Sequence, residues 1–576
     1  MEGIISIDNS KYTSATVHIS SDSSEIKLTG FDNIGKVFNG DSVNVVNHKC
    51  SLVTSNINGT PIIGLLNLYS KYKFKANKKG IERFKFKPLS PNFPEFLVAS
   101  RLKRQYNENI LVVIKYLSWN EYTPFGELIC DLGTVSCIDT LYNGVLYKYN
   151  LNKVYPKISK NIITDILSYE FNKCPIGYKD IRHLNIISID PPTTRDIDDA
   201  LSFELLDDGV TRIGVHISDV IGTLNYMGIS ETFINDSLNT SVYAPHKTVN
   251  MLPEFLSTNM LSLLPDKNRL TLTLWLTIKD CNVIESRIEK CLIQNRKNFS
   301  YDEFDKHCKG DDSAYYNLYN NVRNLCYRNL HSKFVKNYDS HKLIEKLMII
   351  YNCEATEFII KSGNKPVYRI HEEINMVQYN QDTDSDLSDF LKIITNKAAK
   401  YTFDNSCTGH YALGLYNYTH FTSPIRRFVD CYNHYLVHTI LTTDISQVSI
   451  NLEQINFTNS SIKKADRMFS QLRLSQLIAE THEHLFQGYI YNFDPIKLKV
   501  SIYIPSKKIT LTKNLIDKKI ENLYTTNIYD KRCIDIIEKD TGKKDTYEMY
   551  KLLNMSIYNV ENKYDPYSTL VIKFID

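Results

Sequence analysis

The run "SIDPPTTRDIDDALSFE", Ser188 to Glu204, gathers Asp190, Asp196, Asp198 and Asp199 into ten residues around one basic side chain, Arg195. Four carboxylates against one guanidinium leave a local charge of about −3, which repels itself unless a cation is bound. In an extended chain Asp196 and Asp198 lie on one side and Asp199 on the other, and the bend at Pro191-Pro192 lets Asp190 return toward them. Hard divalent cations prefer carboxylate oxygens, and magnesium in particular binds through a few carboxylates plus substrate phosphate. Two such ions about 4 Å apart activate water and stabilise the leaving oxygen in phosphodiester cleavage. An acidic surface loop or a calcium site would use the same residue types. The EF-hand pattern is missing, however, with no glycine and no closing glutamate at the required offsets.

A second dense stretch, "HYALGLYNYTHFTSPIRRFVDCYNHYLVH", runs from His410 to His438. His420, Thr422, Ser423, Arg426 and Arg427 all donate hydrogen bonds of the kind phosphate oxygens accept, and arginine also stabilises charge developing on a phosphoryl group. The same residues read as a helix start, with Ser423 as N-cap and Pro424 at the first helical position. The two readings are compatible, because a helix N-terminus attracts anions.

Both stretches need a scaffold. After residue 166 the pattern mixes strands with long helices. Ile344, Leu347, Met348, Tyr351, Ala355 and Phe358 fall at three-and-four spacing and predict an amphipathic helix over 341–361. A second helix is expected through "DLSDFLKIITNKAAKY" and a third from Ser460 to Phe486, with an exposed loop over Gln378 to Asp386. Before residue 165, short β-prone runs such as "TSATVHIS" and "NILVVIKYLSW" suit two small β-barrels. The segment "KYKFKANKKGIERFKFK", Lys71 to Lys87, reads as a hairpin with Lys71, Lys73 and Lys75 on one face and Tyr72 and Phe74 on the other. Either its lysines grip phosphates while its aromatics stack on bases, or the aromatics are core and the lysines are merely solvated. From Gly488 onward β-character returns in "LKVSIYIPSKKITLT" and "STLVIKFID", a third small β-domain.

At 576 residues the chain is too long for a single core and predicts three to five domains of the usual size. Its 43% hydrophobic and 23% charged content is that of a folded protein. The net charge is only +3, so any nucleic-acid surface is local. No basic and apolar leader and no membrane-length apolar run is evident, which predicts a cytoplasmic protein. Twelve cysteines lack the spacing of a zinc knuckle and read as reduced thiols.

With both stretches in view the sequence resembles the ribonuclease II and ribonuclease R family, whose catalytic domain carries DPxxxxDxDDA and, later, HFTSPIRRY. Here these are Asp190-Pro191 to Ala200 and His420 to Phe428. "GVHISDV", "SVYAPHKTVNMLPEFLS", "FSYDEF" and "KPVYRIHEE" also match, so the resemblance spans roughly residues 170 to 485. "DPPTTRDIDDALS" is closest to the eukaryotic branch that includes the catalytic exosome subunit. "GKVFNGDSVNVV", "FKPLSPNFPEFLV" and "SWNEYTPFGELICDLGTV" resemble its cold-shock-like OB-folds.

The resemblance implies a multidomain α+β chain in four parts. Residues 1–75 and 76–165 would form two cold-shock-like OB-fold β-barrels, 166–486 a central α/β RNB catalytic domain, and 487–576 a closing OB-fold β-barrel that binds RNA. No room is left for an N-terminal endonuclease domain, so a free-standing monomer without exosome association is expected. The implied activity is magnesium-dependent, hydrolytic and processive 3′-to-5′ degradation of single-stranded RNA to 5′-mononucleotides. Asp190, Asp196, Asp198 and Asp199 would hold two magnesium ions, with manganese as a possible substitute. Asp198 and Arg426 would be catalytic, and Tyr243, Tyr301, His420, Ser423, Arg426 and Arg427 would contact RNA. For Tyr301, and less so for Tyr243, core packing is the competing reading. Phe428, Tyr435 and Ile374 depart from the family's tyrosine, arginine and proline and bear on substrate grip rather than on metal binding. Two other functions are weighed: an inactive RNB-fold scaffold that binds RNA, and a nucleic-acid chaperone acting through the OB-folds alone. The first would typically have lost acidic ligands, and the second has no need of Asp198.

Overall fold

The computed structural model describes the chain except for residues 21–23, 58, 70–73, 103–108, 120–121, 230–238, 309–313, 329, 331–337, 372–386, 388–389, 391–398, 405–408, 443–446, 495, 497, 517–522, 530–532, 561, 563–564, 568 and 576. It divides into two compact units: Met1–Leu151 with Ala244–His246 and Ser461–Asp576, and Asn152–Tyr243 with Lys247–Ser460.

The first unit is built from β-sheets. Glu25–Thr29, Ser14–Ile19, Glu2–Ile7, Ser42–Val46 and Lys49–Thr54 form a five-stranded antiparallel sheet in that order. Period-two alternation buries Ile5, Ile7, Ala15, Val17 and Ile19 on one face. Pro61–Asn67, Arg83–Pro88, Phe96–Ala99, Ile110–Ser118 and Phe125–Thr134 then close into a barrel. In "RFKFKP" Phe84 and Phe86 are core while Lys85 and Lys87 are exposed. The expected hairpin turns at Asn77 to Gly80, and Phe74 bridges Arg83. Its Lys71, Tyr72 and Lys73 lie outside the described residues.

At the C-terminal end Ile509–Asn514, Lys499–Ile504, Leu485–Asp494, Leu552–Asn559 and Leu570–Ile575 form another five-stranded antiparallel sheet. Lys513 on one edge strand donates to Ile572 O on the other at 3.0 Å, so the sheet curls enough for a lysine side chain to span its two edges. A separate three-stranded sheet, Tyr524–Tyr529, Cys533–Glu538 and Lys544–Glu548, is inserted within it.

The second unit is α/β. Its sheet runs Lys179–Asp180, Asn282–Phe299, Ile186–Ile189, Asp199–Leu205, Thr211–Ser218 and Asn268–Lys279. The 18-residue strand Asn282–Phe299 also pairs along Asn268–Lys279, so the sheet bends back on itself. Ile187, Ile189, Ile213, Val215, Leu272 and Leu274 pack against Leu343, Leu347, Ile350 and Ile359 of the helix Ser340–Lys361, the helix expected over 341–361.

Two helix expectations change. The last helix is Leu452–Thr481 rather than Ser460 to Phe486. His482 takes a left-handed φ of 55° and ends it, and the chain from Leu485 is already committed to a strand. The helix expected over 386–401 lies mostly outside the described residues, but its last part is the strand Lys400–Thr402, paired with Tyr368–Ile370. The loop expected at Gln378 to Asp386 also lies outside the described residues. No described helix is long and apolar enough to cross a membrane, and the described cysteines are free thiols.

Candidate active site

Two adjacent parallel strands deliver the first site residues. Ile186–Ile189 pairs with Asn282–Phe299 in register Ile189 with Phe299, and Asp190 N donates to Phe299 O at 2.9 Å. Both strands therefore end at the same edge, the side of a parallel pair where α/β proteins place ligands. Asp190 leaves one strand. Ser300 caps the helix Tyr301–His307 that leaves the other, with a reciprocal capping box to Glu303. Tyr301 thus starts that helix beside the acidic run. Its ring is stacked on His341 at 3.6 Å and 15°.

After Asp190 the chain turns, Thr194 N donating to Pro191 O at 3.0 Å. It re-enters the sheet at Asp199, opposite Ile217. Ile197 N donates to Ser262 Oγ at 3.0 Å, Leu263 N to Ile197 O at 3.0 Å and Ser218 N to Asp198 O at 2.9 Å. These bonds fix the segment between the two strands, so the spacing of the aspartates is held by backbone.

The second stretch arrives from the far side of the domain. Asp198 Oδ1 accepts from Ile425 N at 2.9 Å, and Asp198 Oδ2 accepts from Arg426 Nε at 3.1 Å. Arg426 Nη2 donates to Ser423 Oγ at 2.9 Å, which fixes the plane of the guanidinium. Asp198 is 4% exposed, whereas the Arg426 side chain is 43% exposed and free to meet a ligand.

The helix start expected at Ser423 and Pro424 is not there; the helix is Phe428–Leu441, with Arg427 preceding it. The carbonyl of Arg426 is taken by Ser241 N at 2.9 Å and Thr240 Oγ1 at 3.0 Å, and the Phe428 N–H goes to Asn239 O at 2.9 Å. Those groups are unavailable to a helical ladder, and the segment is a turn that aims Arg426.

Electrostatically the acidic run is under-neutralised. Burial pushes the Asp190 carboxyl up to about 8, and neighbouring Asp199, Asp198 and Asp196 push the same way. Burial raises Asp198 to about 7 against the opposing pull of Arg426 and the Ile425 N–H, and raises Asp199 to about 6 against Arg426. Asp190 Oδ2 is buried with no hydrogen-bond partner among the described residues. A divalent cation meets both conditions, the repulsion and the open oxygen. No three carboxylates among the described residues are already gathered to metal-coordinating distance. The fit to a cation therefore rests on donor chemistry and charge, with Asp190, Asp196, Asp198 and Asp199 as the candidate donors.

Other expected site residues fall in two groups. Tyr243 is 54% exposed and directs its hydroxyl to Asp196 Oδ2 at 3.4 Å; burial and Asp196 raise its hydroxyl to about 12. Burial, then Asp199 and Asp190, raise Tyr301 likewise to about 12. Both are beside the carboxylates. His420, Ser423 and Arg427 sit deeper. His420 Nδ1 meets the Tyr401 hydroxyl at 2.7 Å, and burial with Arg427 and Arg369 keeps the ring neutral. Ser423 is 5% exposed and spends its hydroxyl on Arg426. Arg427 Nη2 donates to Asp430 Oδ1 at 2.7 Å. Phe428 is core at 3% exposure, Tyr435 is partly buried against the same packing, and Ile374 lies outside the described residues.

Sequence reasoning passed over Asp219, His438 and Asp430. Asp219, inside "GVHISDV", accepts from His438 Nε2 at 2.8 and 2.9 Å and from the Tyr178 hydroxyl at 2.6 Å. Asp430 also accepts from Ser423 N at 2.8 Å. An acid three residues past Arg427 was a readable signal for Asp430. Nothing local pairs Asp219 with His438.

Comparison with known proteins agrees with this architecture. Residues 178–335 and 326–443 match the RNB domain, and 83–150 match the Dis3-like cold-shock domain 2. Ribonuclease R of Chlamydia muridarum is 25% identical over 505 residues, covering 73% of this chain and 71% of that protein. DIS3-like exonuclease 2 of Arabidopsis thaliana is 27% identical over 501 residues, 69% of this chain and 46% of that one. An Arabidopsis relative with the same identity and coverage is named an inactive exonuclease. The solved structure of Mycoplasma genitalium RNase R in complex with ribose methylated single-stranded RNA superposes with a TM-score of 0.72 at 16% identity over 100% of both chains. Together with the Asp-rich segment and its arginine loop, these matches identify an RNB domain over residues 178–443, beside a cold-shock-like domain similar to that of DIS3-like proteins.

Proposed function

We propose that this chain is a divalent-metal-dependent hydrolase that degrades single-stranded RNA processively from the 3′ end and releases 5′-mononucleotides. The observation that carries the reading is the convergence of Asp198 with Arg426 beside three further carboxylates, one of them with an open buried oxygen. Asp190, Asp196, Asp198 and Asp199 would hold magnesium, which supplies activated water and charge stabilisation at the phosphate. Arg426, aimed by Ser423 and Asp198, meets the scissile phosphate and steadies negative charge as it develops. Tyr243, exposed beside Asp196, offers its ring to the terminal base, and stacking of this kind tolerates any base. On the same reading the enzyme works as a monomer in the cytoplasm, and a gel-filtration mass near 66.7 kDa checks the first part.

The test is a 5′-labelled single-stranded RNA incubated with magnesium, beside the same RNA with a blocked 3′ terminus. The free 3′ end is expected to be shortened to a small end product and the blocked one spared. RNA that is bound but never shortened marks an RNA-binding scaffold.

A further inference from the structure

Behind Arg426 lies a second basic cluster with too few acids. Arg369, on the strand Tyr368–Ile370, lays its guanidinium 4.4 Å over the ring of Tyr401. Among the described residues its Nη1 is buried with no hydrogen-bond partner. The described titratable and charged groups acting on it are Tyr401, Arg427 and Tyr418, with no carboxylate among them; burial, together with Arg427, lowers its pKa. Arg427 shares the deficit. It has Asp430 on Nη2, but its Nε is buried and without a partner among the described residues. Asp430 Oδ2 is also open, so this acid offsets one guanidinium and leaves the other uncompensated. His420, within reach of both arginines, stays neutral and adds no charge.

Buried guanidinium groups are ordinarily paired, because a desolvated charge without a counter-ion is costly. Two arginines with open N–H groups and one carboxylate between them fit a group that brings its own negative charge. The planar fork of arginine matches the oxygens of a phosphate. The cluster is not sealed, since 22% of the Arg427 side chain reaches solvent. Arg427 also follows Arg426 directly, so a second phosphate on the same strand lies within reach.

We propose that Arg369 and Arg427 form a phosphate subsite that takes a backbone phosphate of the RNA strand next to the one met by Arg426. This rests on the exoribonuclease reading above. It gives Arg369 a role in gripping substrate, apart from any contact with the reacting atoms.

The experiment compares the full chain with Arg369→Met, both in EDTA so that no RNA is consumed, and measures affinity for a single-stranded RNA across a salt series. The variant is expected to bind at least fivefold more weakly, and its slope of log affinity against log salt is expected to be shallower by about 0.7, the loss of one phosphate contact. A neutral methylphosphonate at a single position near the 3′ end should weaken binding to the unmodified protein and have no further effect on the variant. Melting separates this from a structural role. Removing an uncompensated buried cation leaves the free variant at least as stable, whereas a structural arginine gives a lower melting temperature. A variant that melts several degrees lower with an unchanged salt slope overturns the proposal. So does stabilisation of the unmodified protein by inorganic phosphate, at matched ionic strength, with an unchanged slope in the variant. Failure of the unmodified protein to shorten RNA in magnesium would count against the activity instead, because binding in EDTA does not depend on it.

Discussion

Asp198 Oδ2 lies 3.1 Å from Arg426 Nε across 228 residues of sequence, and Asp198 Oδ1 takes the Ile425 N–H at 2.9 Å. One carboxylate thereby joins the acidic run to the arginine loop and fixes the direction from which the guanidinium meets a ligand. Arg426→Lys keeps the charge but loses the fork that spans Asp198 and Ser423 and, on the proposed function, the scissile phosphate. Single-turnover cleavage is expected to fall by about 10²- to 10³-fold, with RNA affinity in EDTA changed far less.

Burial and mutual repulsion lift Asp190 to about 8, Asp198 to about 7 and Asp199 to about 6. Each folded value lies above that of an unfolded aspartate, about 3.9, so the folded state holds extra protons between those limits. Its stability therefore falls as pH rises from about 4 to 8. Metal-free protein should melt lower at pH 8 than at pH 6, and added magnesium should raise the melting temperature more at pH 8. Asp190→Asn should flatten both trends in a melting series.

Tyr243 is exposed, with its hydroxyl near Asp196. If its ring carries the contact with the terminal base, Tyr243→Phe keeps RNA affinity and Tyr243→Ala loses about 1 to 3 kcal/mol. Fluorescence anisotropy with a short RNA reads the difference.

Asp219 and His438 form a fully enclosed pair that ties the start of the helix Val220–Tyr226 to the helix carried by the arginine loop. Burial alone would raise the Asp219 carboxyl, but His438 and the Tyr178 hydroxyl outweigh it and hold the group well below the usual range. Its stabilising effect is present above the unfolded value of about 3.9 and is lost as pH falls through the folded one. Asp219→Asn is expected to cost about 3 kcal/mol at pH 7, measured by urea unfolding.

Residue spacing was enough to predict the helix Ser340–Lys361, and residue type was enough to single out Asp190 to Asp199 as a crowded acidic run, because both depend on neighbours in sequence. The barrels were legible for the same reason: Phe84 and Phe86 alternate with Lys85 and Lys87 at the strand period. The Ser423-Pro424 helix start failed because Asn239, Thr240 and Ser241, all remote in sequence, take the backbone groups a helix needs. His420 has the residue type of a phosphate donor, yet its ring turns to Tyr401, and Arg427 spends Nη2 on Asp430 while its Nε stays open among the described residues. The Asp219–His438 pair, 219 residues apart, has no local signature.

The central claim is that the carboxylates around Asp198 carry out RNA hydrolysis. The most direct measurement follows a 5′-labelled single-stranded RNA with the unmodified chain in magnesium, the same chain in EDTA, and Asp198→Asn in magnesium. Stepwise shortening from the 3′ end in the first reaction alone, with RNA still bound by the variant, is the predicted result. No shortening in the first reaction, or equal shortening in all three, would contradict it.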